Sequence, residues 1–295
     1  MSNTEHLYNT RLEIQKIAQK IFSYETMTKF YYKLVFKRKI NLEKPIYFNE
    51  KINWLKLFSY QYRDDIIQCS DKYMVRNYIE EKGLGVYLND LIGVWDDWSQ
   101  VNWDSLPNQF AMKANHGARY NIICEDKAQI SQKETGKKMK KWLSEDFSLY
   151  YAEAHYSKIK PRIIAEEFLG GDIIDYKFFC FNGEPKFFYV AKGFGKGQNE
   201  RMAFFNMDGT KADFYRTSYE QLNEEIGLPE KFEEMIEISK KLAQDFPFVR
   251  IDLFFVKGKI YFSEMTFTPD RGLMTIQPEK YYKIWGDYLE LPTLK

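Results

Sequence analysis

Asp252 and Glu264 are the residues of this 295-residue chain whose setting most favours chemistry. They lie in FPFVRIDLFFVKGKIYFSEMTFTPDRG, which alternates through 249–256 and again through 260–266, on either side of Lys257-Gly258-Lys259. Such alternation around a glycine-containing turn reads as a β-hairpin. A three-residue loop with Gly258 left-handed pairs Val256 with Ile260 and sets Asp252 directly opposite Glu264. Side chains alternate along a strand, so Arg250, Asp252, Glu264 and Thr266 then share one face. Opposed Cβ atoms lie about 4.5–5.5 Å apart, close enough for two carboxylates to hold a common cation. A two-residue turn would instead slip the register by one and send Asp252 and Glu264 to opposite faces. Two carboxylates beside an arginine suit magnesium and a polyphosphate better than a packed core. A solvated hairpin face would account for the same residues without chemistry. A polar metal site adds little to a core, so removing either carboxylate is expected to leave the fold intact.

Four other segments carry residues of the same character. In QFAMKANHGARYN, Lys113 lies on a strand, facing away from Phe110 and Met112, just before Gly117. A lysine followed by a small loop can neutralise a phosphate while backbone N–H groups cradle its oxygens; an ordinary strand-edge lysine is the plainer reading. In SDKYMVR, Lys72 falls in the first turn of a helix, where the dipole favours anions, or is simply a surface lysine. In RIIAEEFLGGD, a β-branched strand runs through Glu166, Glu167 and Leu169 into paired glycines. Its end could offer backbone groups to an adenine edge, with Asp172 near a ribose. In DYKFFCFNG, Lys177 and Asp175 share a strand face, which a simple ion pair explains equally well.

The remaining composition fits a soluble enzyme. Apolar residues make up 44% and aromatics 18%, enough for one large core or two lobes. A net charge of +1 sets up no global field of the kind that binds nucleic acid. Cys69, Cys124 and Cys180 form no CxxC pair, which argues against a disulfide framework or zinc site and for a reducing compartment. His6, His116 and His155 are too scattered for a metal cluster. There is no signal peptide and no apolar run near the roughly 20 residues that cross a bilayer, so the cytoplasm is the expected location.

The elements that must position these residues can be read coarsely. Residues 4–40 look helical, with Leu12, Ile14, Ile17, Ala18, Ile21 and Phe22 near a 3.6 period. The stretch TKFYYKLVFKRK interleaves lysines with aromatics; it could touch an anionic polymer or a membrane surface, or be a helix with aromatics in the core and solvated lysines. FNEKINWLKLF reads as a helix capped by Asn49. Ser70 or Asp71 can cap the next one, which ends at Gly83. A strand spans 110–115, a helix 131–143, a strand 162–168, a hairpin 175–192 turning at Asn182-Gly183, and a helix 229–245. This mixture points to α+β with largely antiparallel sheets.

In order, these segments resemble the ATP-grasp superfamily: Asp71-Lys72 opening a helix, the strand lysine Lys113, the acidic hinge from Glu166 to Leu169, then Arg250 with Asp252, and Glu264 with Thr266. The phrases FNEKINWLKLF, SDKYMVRNYI, LPNQFAMKANHG, NIICEDK, KPRIIAEEFL and DYKFFCFNG, with the acidic hairpin, are similar to the TupA-like ATP-grasp family of teichuronopeptide and capsular-polysaccharide biosynthesis. The resemblance implies two α+β lobes with largely antiparallel sheets clamping ATP. Residues 1–50 would be an N-terminal helical segment, 51–105 a preceding region, 106–169 the central lobe and 170–295 the C-terminal lobe. Lys72 and Lys113 would contact the α- and β-phosphates. The loop 115–121, with His116, Gly117 and Arg119, would close over the γ-phosphate, and Lys177 would join the nucleotide set. Glu166, Glu167 and Leu169 would form the adenine hinge, with Asp172 on the ribose. Asp252, Glu264 and Thr266 would hold magnesium (Mg2+), Arg250 would stabilise the transferred phosphoryl group, and Arg271 would grip a substrate carboxylate. The chain departs from the superfamily in two places: Thr266 stands where Asn is common, and HGARYN is poorer in glycine than expected.

The implied reaction is carboxylate–amine ligation through an acylphosphate, on a uronic-acid sugar or acidic peptide of a surface polymer. A kinase using the same ATP site, and a glycosyltransferase using a DxD-like motif, are the alternatives; the only adjacent aspartates are Asp64-Asp65 and Asp96-Asp97.

Overall fold

A computed structural model describes residues 13–171, 173–192, 201–224 and 226–293. Two sheets organise it. The larger has six strands in the order β11-β10-β5-β6-β7-β9. They are β5 (Ile174–Phe181), β6 (Glu184–Lys192), β7 (Arg201–Asn206), β9 (Glu220–Gln221), β10 (Phe248–Val256) and β11 (Lys259–Thr266). The smaller, β1-β4-β2-β3, is antiparallel throughout, from β1 (Leu91–Trp95), β2 (Phe110–Ala114), β3 (Asn121–Cys124) and β4 (Ile163–Glu167). A minor ladder pairs β8 (Tyr215–Arg216) with β12 (Ile276–Gln277). The mixed α+β architecture and its mainly antiparallel sheets are as expected from the pattern.

The hairpin of β5 and β6 turns at Asn182 (φ 49°) and Gly183 (φ 86°), a pair whose left-handed geometry matches strand twist. Its residues then sort by face. Phe178 and Phe188 pack on Phe232, at the start of the helix Phe232–Ala243. On the opposite face, Trp285 stacks on Phe187 at 4.4 Å, and Phe48 meets Phe181 and Phe248. The helices Phe48–Phe58 and Lys280–Tyr288 therefore cover one end of that face. Phe248 alternates with Arg250 and Asp252 along β10, so the same face turns polar a few residues further on. In the smaller sheet, Phe110, Met112, Ile163 and Ala165 form a core with Met139 of the helix Gln132–Leu143, whose N-cap is Ser131.

The acidic hairpin reaches the expected face by another route. Its turn has two residues, Lys257 (φ 50°) and Gly258 (φ 76°), and Val256 pairs with Lys259. By itself this would put Asp252 opposite Ser263. A β-bulge at Ser263 absorbs one residue, so Leu253 pairs with Phe262 while Asp252 pairs with Glu264, and Arg250 with Thr266. The phase slip restores the shared face.

Three local expectations are corrected. The N-terminal stretch breaks at Ser23, which caps Tyr24–Phe36 by accepting from Thr26 N; residues 13–21 form a separate helix. In that first helix Gln15 and Gln19 are buried whereas Ile14, Ile17 and Ile21 are exposed; Leu12 and residues before it lie outside the described residues. Asn49 is not a cap: its Nδ2 donates to Met274 O at 2.9 Å, and Glu50 receives the N–H groups of Ile46 and Tyr47 instead. Lys72 precedes its helix, in a turn that Asp71 stabilises by accepting from Tyr73 N and Met74 N.

Candidate functional site

The polar half of the large sheet's face holds a compact ionic cluster. Arg250 donates through Nε and Nη2 to the two oxygens of Asp252, each at 2.7 Å, and through Nη2 to Thr266 Oγ1 at 3.0 Å. Lys177 sits across the β10–β5 ladder, where its Nζ contacts both Asp252 and Asp175. Asp252 is 0% exposed. Burial pushes its carboxyl up, but Arg250 and Lys177 together outweigh burial and hold it below the usual carboxylate range. Asp175 is pushed up to about 6 by burial, against the attraction of Lys177 and with the repulsion of Asp252.

Glu264 is the accessible acid of the group. Its side chain is one-third exposed and lies 3.5 Å from Lys72 Nζ and 3.9 Å from Arg250 Nη2. Lys72 also donates to Gly117 O, and its backbone N–H donates to Asn115 O at 3.1 Å. Asn115 in turn donates from Nδ2 to Asp71 Oδ1 at 2.8 Å. The turn at Lys72 thus connects the 115–121 loop of the smaller sheet to the acidic hairpin of the larger one.

A second ionic group lies on the smaller sheet. Lys113 Nζ is 2.7 Å from Glu166 Oε2, and Arg76 Nη1 is 3.4 Å from Glu166 Oε1. Strand pairing ends at Glu167, whose side chain is exposed, and Phe168 and Leu169 leave the sheet. Asp172 lies outside the described residues. Nothing in the local sequence singles out Arg76, which lies in the first turn of the helix Val75–Glu81.

The 115–121 loop is held down. His116 is buried, and its Nε2 donates to Trp142 O at 3.1 Å and Glu145 O at 3.2 Å, at the end of the helix Gln132–Leu143. Burial lowers its pKa. His116 is therefore an anchor for the loop rather than an open anion ligand. Gly117 is closely packed: a Cβ there would come within 2.7 Å of Tyr120 and 2.8 Å of Phe147. Tyr120 stacks on Trp142 at 5.3 Å and donates to Glu145. Tyr150 donates to the same carboxylate at 3.3 Å, and Lys16, from the helix 13–21, lies 3.9 Å away.

Arg119 and Arg271 do not join either ionic group. They line a cavity of about 240 Å³ together with Tyr120, Trp142, Glu145 and Tyr150. Arg271 packs its guanidinium over Tyr151, 4.1 Å from the ring centroid. Its backbone is left-handed (φ 63°), as is that of Tyr151 (φ 56°). Buried Lys56 ties the two turns together, donating to Arg271 O at 3.1 Å and Tyr151 O at 3.3 Å. A larger groove of about 650 Å³, bordered by Leu84, Glu184 and Gln244, shares none of these residues. The acidic pairs also stand apart: Asp65 is paired with Arg63, and Asp96 with Lys160 and Arg162.

Magnesium bound to a nucleotide takes one or two carboxylates and completes its shell from phosphates and water. Asp252 and Glu264, opposed on facing strands, meet that requirement, with Thr266 Oγ1 beside Glu264. Among the described residues no cluster of three or more acidic, histidine or cysteine side chains forms a metal cage. The donors present suit a shared ion, not a stand-alone one.

A family model of TupA-like ATP-grasp proteins matches residues 50–290. The chain belongs to the TupA-like ATP-grasp family. No curated protein matches it. Among solved structures it is similar to D-alanine–D-alanine ligase from Bacillus anthracis, with 16% identity over 68% of this chain and 57% of that one, TM-score 0.40. L-amino acid ligase from Bacillus licheniformis matches at 14% identity over 76% and 50%, TM-score 0.45. N5-carboxyaminoimidazole synthetase from Staphylococcus aureus, complexed with ADP, matches at 12% identity over 76% and 52%, TM-score 0.39. The chain thus spans about half the length of these structures.

For this ATP-grasp chain the burial of Asp252 overturns the expectation that either acid is dispensable to folding. Asp252→Ala strands two buried cations and should cost about 3–5 kcal/mol in urea denaturation. Glu264→Ala, at a partly exposed position, should leave the midpoint nearly unchanged. Equal stability of the two variants would contradict the buried cluster.

Proposed function

We propose that the protein is an ATP-dependent carboxylate–amine ligase acting on a uronic-acid sugar or acidic peptide of a capsular or cell-surface polysaccharide. Its place of work would be the cytoplasm, where ATP is supplied; no helix among the described residues is long and apolar enough to cross a membrane. The observation that carries the reading is the alignment of Arg250, Asp252 and Glu264 on one sheet face, with Lys72 bridging from that face to the 115–121 loop.

In this reading Lys72 and Lys113 face the α- and β-phosphates, and Lys177 keeps Asp252 ionised from below. Lys113 arrives already paired with Glu166, so Arg76 holds that hinge acid when the lysine turns to a phosphate. Glu166, Glu167 and Leu169 border the adenine, and Asp172 the ribose. Asp252, Glu264 and Thr266 would hold magnesium, whose charge would offset that of the nucleotide phosphates. Arg250 commits Nε and Nη2 to Asp252 and Thr266, which fixes the guanidinium plane and leaves Nη1 to meet charge on the transferred group. Arg119 and Arg271, with the aromatic wall between them, offer a subsite for the substrate carboxylate.

The chemistry needs positioning and charge neutralisation more than a protein nucleophile. A carboxylate oxygen attacks the γ-phosphorus, the bond to the β,γ-bridging oxygen breaks, and ADP leaves. The amine nitrogen then attacks the acyl carbon of the acylphosphate, loses a proton and expels inorganic phosphate, leaving an amide. Mass spectrometry after incubating the protein with ATP, magnesium, candidate uronates and an amine pool should show ADP, free phosphate and an amide, and EDTA should stop it. Phosphate retained on an organic product would make the protein a kinase. Turnover of a sugar nucleotide without ATP would make it a glycosyltransferase.

Lys72→Met and Lys113→Met should each weaken nucleotide binding by about 1.5–3 kcal/mol, the range for hydrogen bonds to charged groups. Isothermal titration finding unchanged affinity in both would reduce them to structural ion-pair partners.

Arg250→Lys keeps the charge but loses the planar fork. It is expected to lower kcat on the order of 100–1000-fold, as for loss of one preorganised donor, with a much smaller change in nucleotide Kd. Strongly weakened binding with intact kcat would instead make Arg250 a ground-state anchor.

A further inference from the structure

Residues 13–40 precede the family-matched segment and carry seven lysines and arginines against two glutamates. That is a net charge of +5 in a chain whose total is +1. Among the described residues, the two helices they form are fixed to the body through one side. Tyr24 shares a hydrogen bond of 3.0 Å with Ser148, and Met27, Tyr31 and Ala18 pack around Ala152 and Tyr151.

Their other side exposes apolar side chains. Ile14, Ile17 and Ile21 follow one another at helical spacing, and Ile21 is 70% exposed. Phe30 and Leu34, one turn apart on the second helix, are 57% and 46% exposed. Exposed Lys20, Lys29, Lys33 and Lys37 lie between and beside them. The apolar stripe of the first helix faces out while Gln15 and Gln19 face in, the reverse of what core packing alone would select.

We propose that this face docks the protein onto an anionic lipid bilayer. A polyanionic glycan would satisfy the lysines but give the isoleucines and Phe30 no medium to enter. A bilayer interface satisfies both, taking apolar side chains about 5–10 Å deep while lysines meet acidic headgroups. No helix among the described residues is long and apolar enough to cross a membrane, so the proposed mode of attachment is docking on the surface.

The test is co-sedimentation of the full chain with phosphatidylcholine vesicles containing roughly 30% phosphatidylglycerol, against pure phosphatidylcholine. Wild type should pellet with the anionic vesicles and be released by salt. Lys33→Gln and Lys37→Gln should each weaken binding roughly five-fold, and the pair Ile17→Glu with Ile21→Glu should abolish it. All four leave ATP turnover in lipid-free solution unchanged, since none belongs to the proposed site. Three results would overturn the proposal. One is no binding to anionic vesicles. Another is wild type sedimenting as a dimer that the isoleucine pair makes monomeric, marking a self-association face. The third is binding to polygalacturonate lost only in the lysine variants, marking a glycan surface.

Discussion

A carboxylate with no exposed surface must be compensated, and at Asp252 the compensation organises the site. Arg250 and Lys177 come from the same strand and the neighbouring one, so the ion cluster exists only when β5, β10 and β11 are in register. Each member then fixes another: Asp252 orients the guanidinium of Arg250, Lys177 is held between two acids, and Thr266 receives the spare donor. Glu264, at the rim, is left as the member that can change partners. The cluster is a rigid charged floor with one movable acid above it, the arrangement in which preorganised dipoles act without reorganising.

That floor depends on the rest of the sheet through a division of one face. Along β10, Phe248 belongs to the aromatic packing around Trp285 and Phe48, whereas Arg250 and Asp252, two and four residues on, belong to the site. The helices covering the apolar end stop short of the polar end, and the turn at Lys72 reaches across what they leave. Lys72 therefore stands where the two sheets meet, with a loop carbonyl on one side and Glu264 on the other.

Much of this was legible in the sequence. Hairpin turns, the alternation of strands and the order of lysines and acids are local signals, and local signals survive without a structure. The shared face of Asp252 and Glu264 was inferred correctly from an incorrect turn. The apolar residues Ile260, Phe262 and Met265 contain the missing information, because their spacing changes from two to three at Ser263, where the bulge lies. What could not be read was non-local. Nothing near Asp252 in sequence announces Lys177, seventy-five residues away, or shows that the acid would be fully buried. The pairing of Arg76 with Glu166 has the same character. The first helix misled for a different reason: its periodicity was real, but the stripe it marked faces outward.

That helix has one inward residue with consequences for anyone who trims the protein. Lys16 approaches Glu145, the carboxylate that also receives Tyr120 and Tyr150, and Glu13 borders the same cavity. A version cut back to the family-matched segment would retain every residue of the ionic floor, with Lys72 and Lys113. It would nevertheless lack Glu13 from the lining of the arginine-lined cavity and one of the two lysines, Lys16 and Lys141, that lie 3.9 Å from Glu145. On the proposed ligase reading, such a fragment would bind nucleotide normally yet handle its second substrate poorly, a loss easily mistaken for the absence of the right substrate.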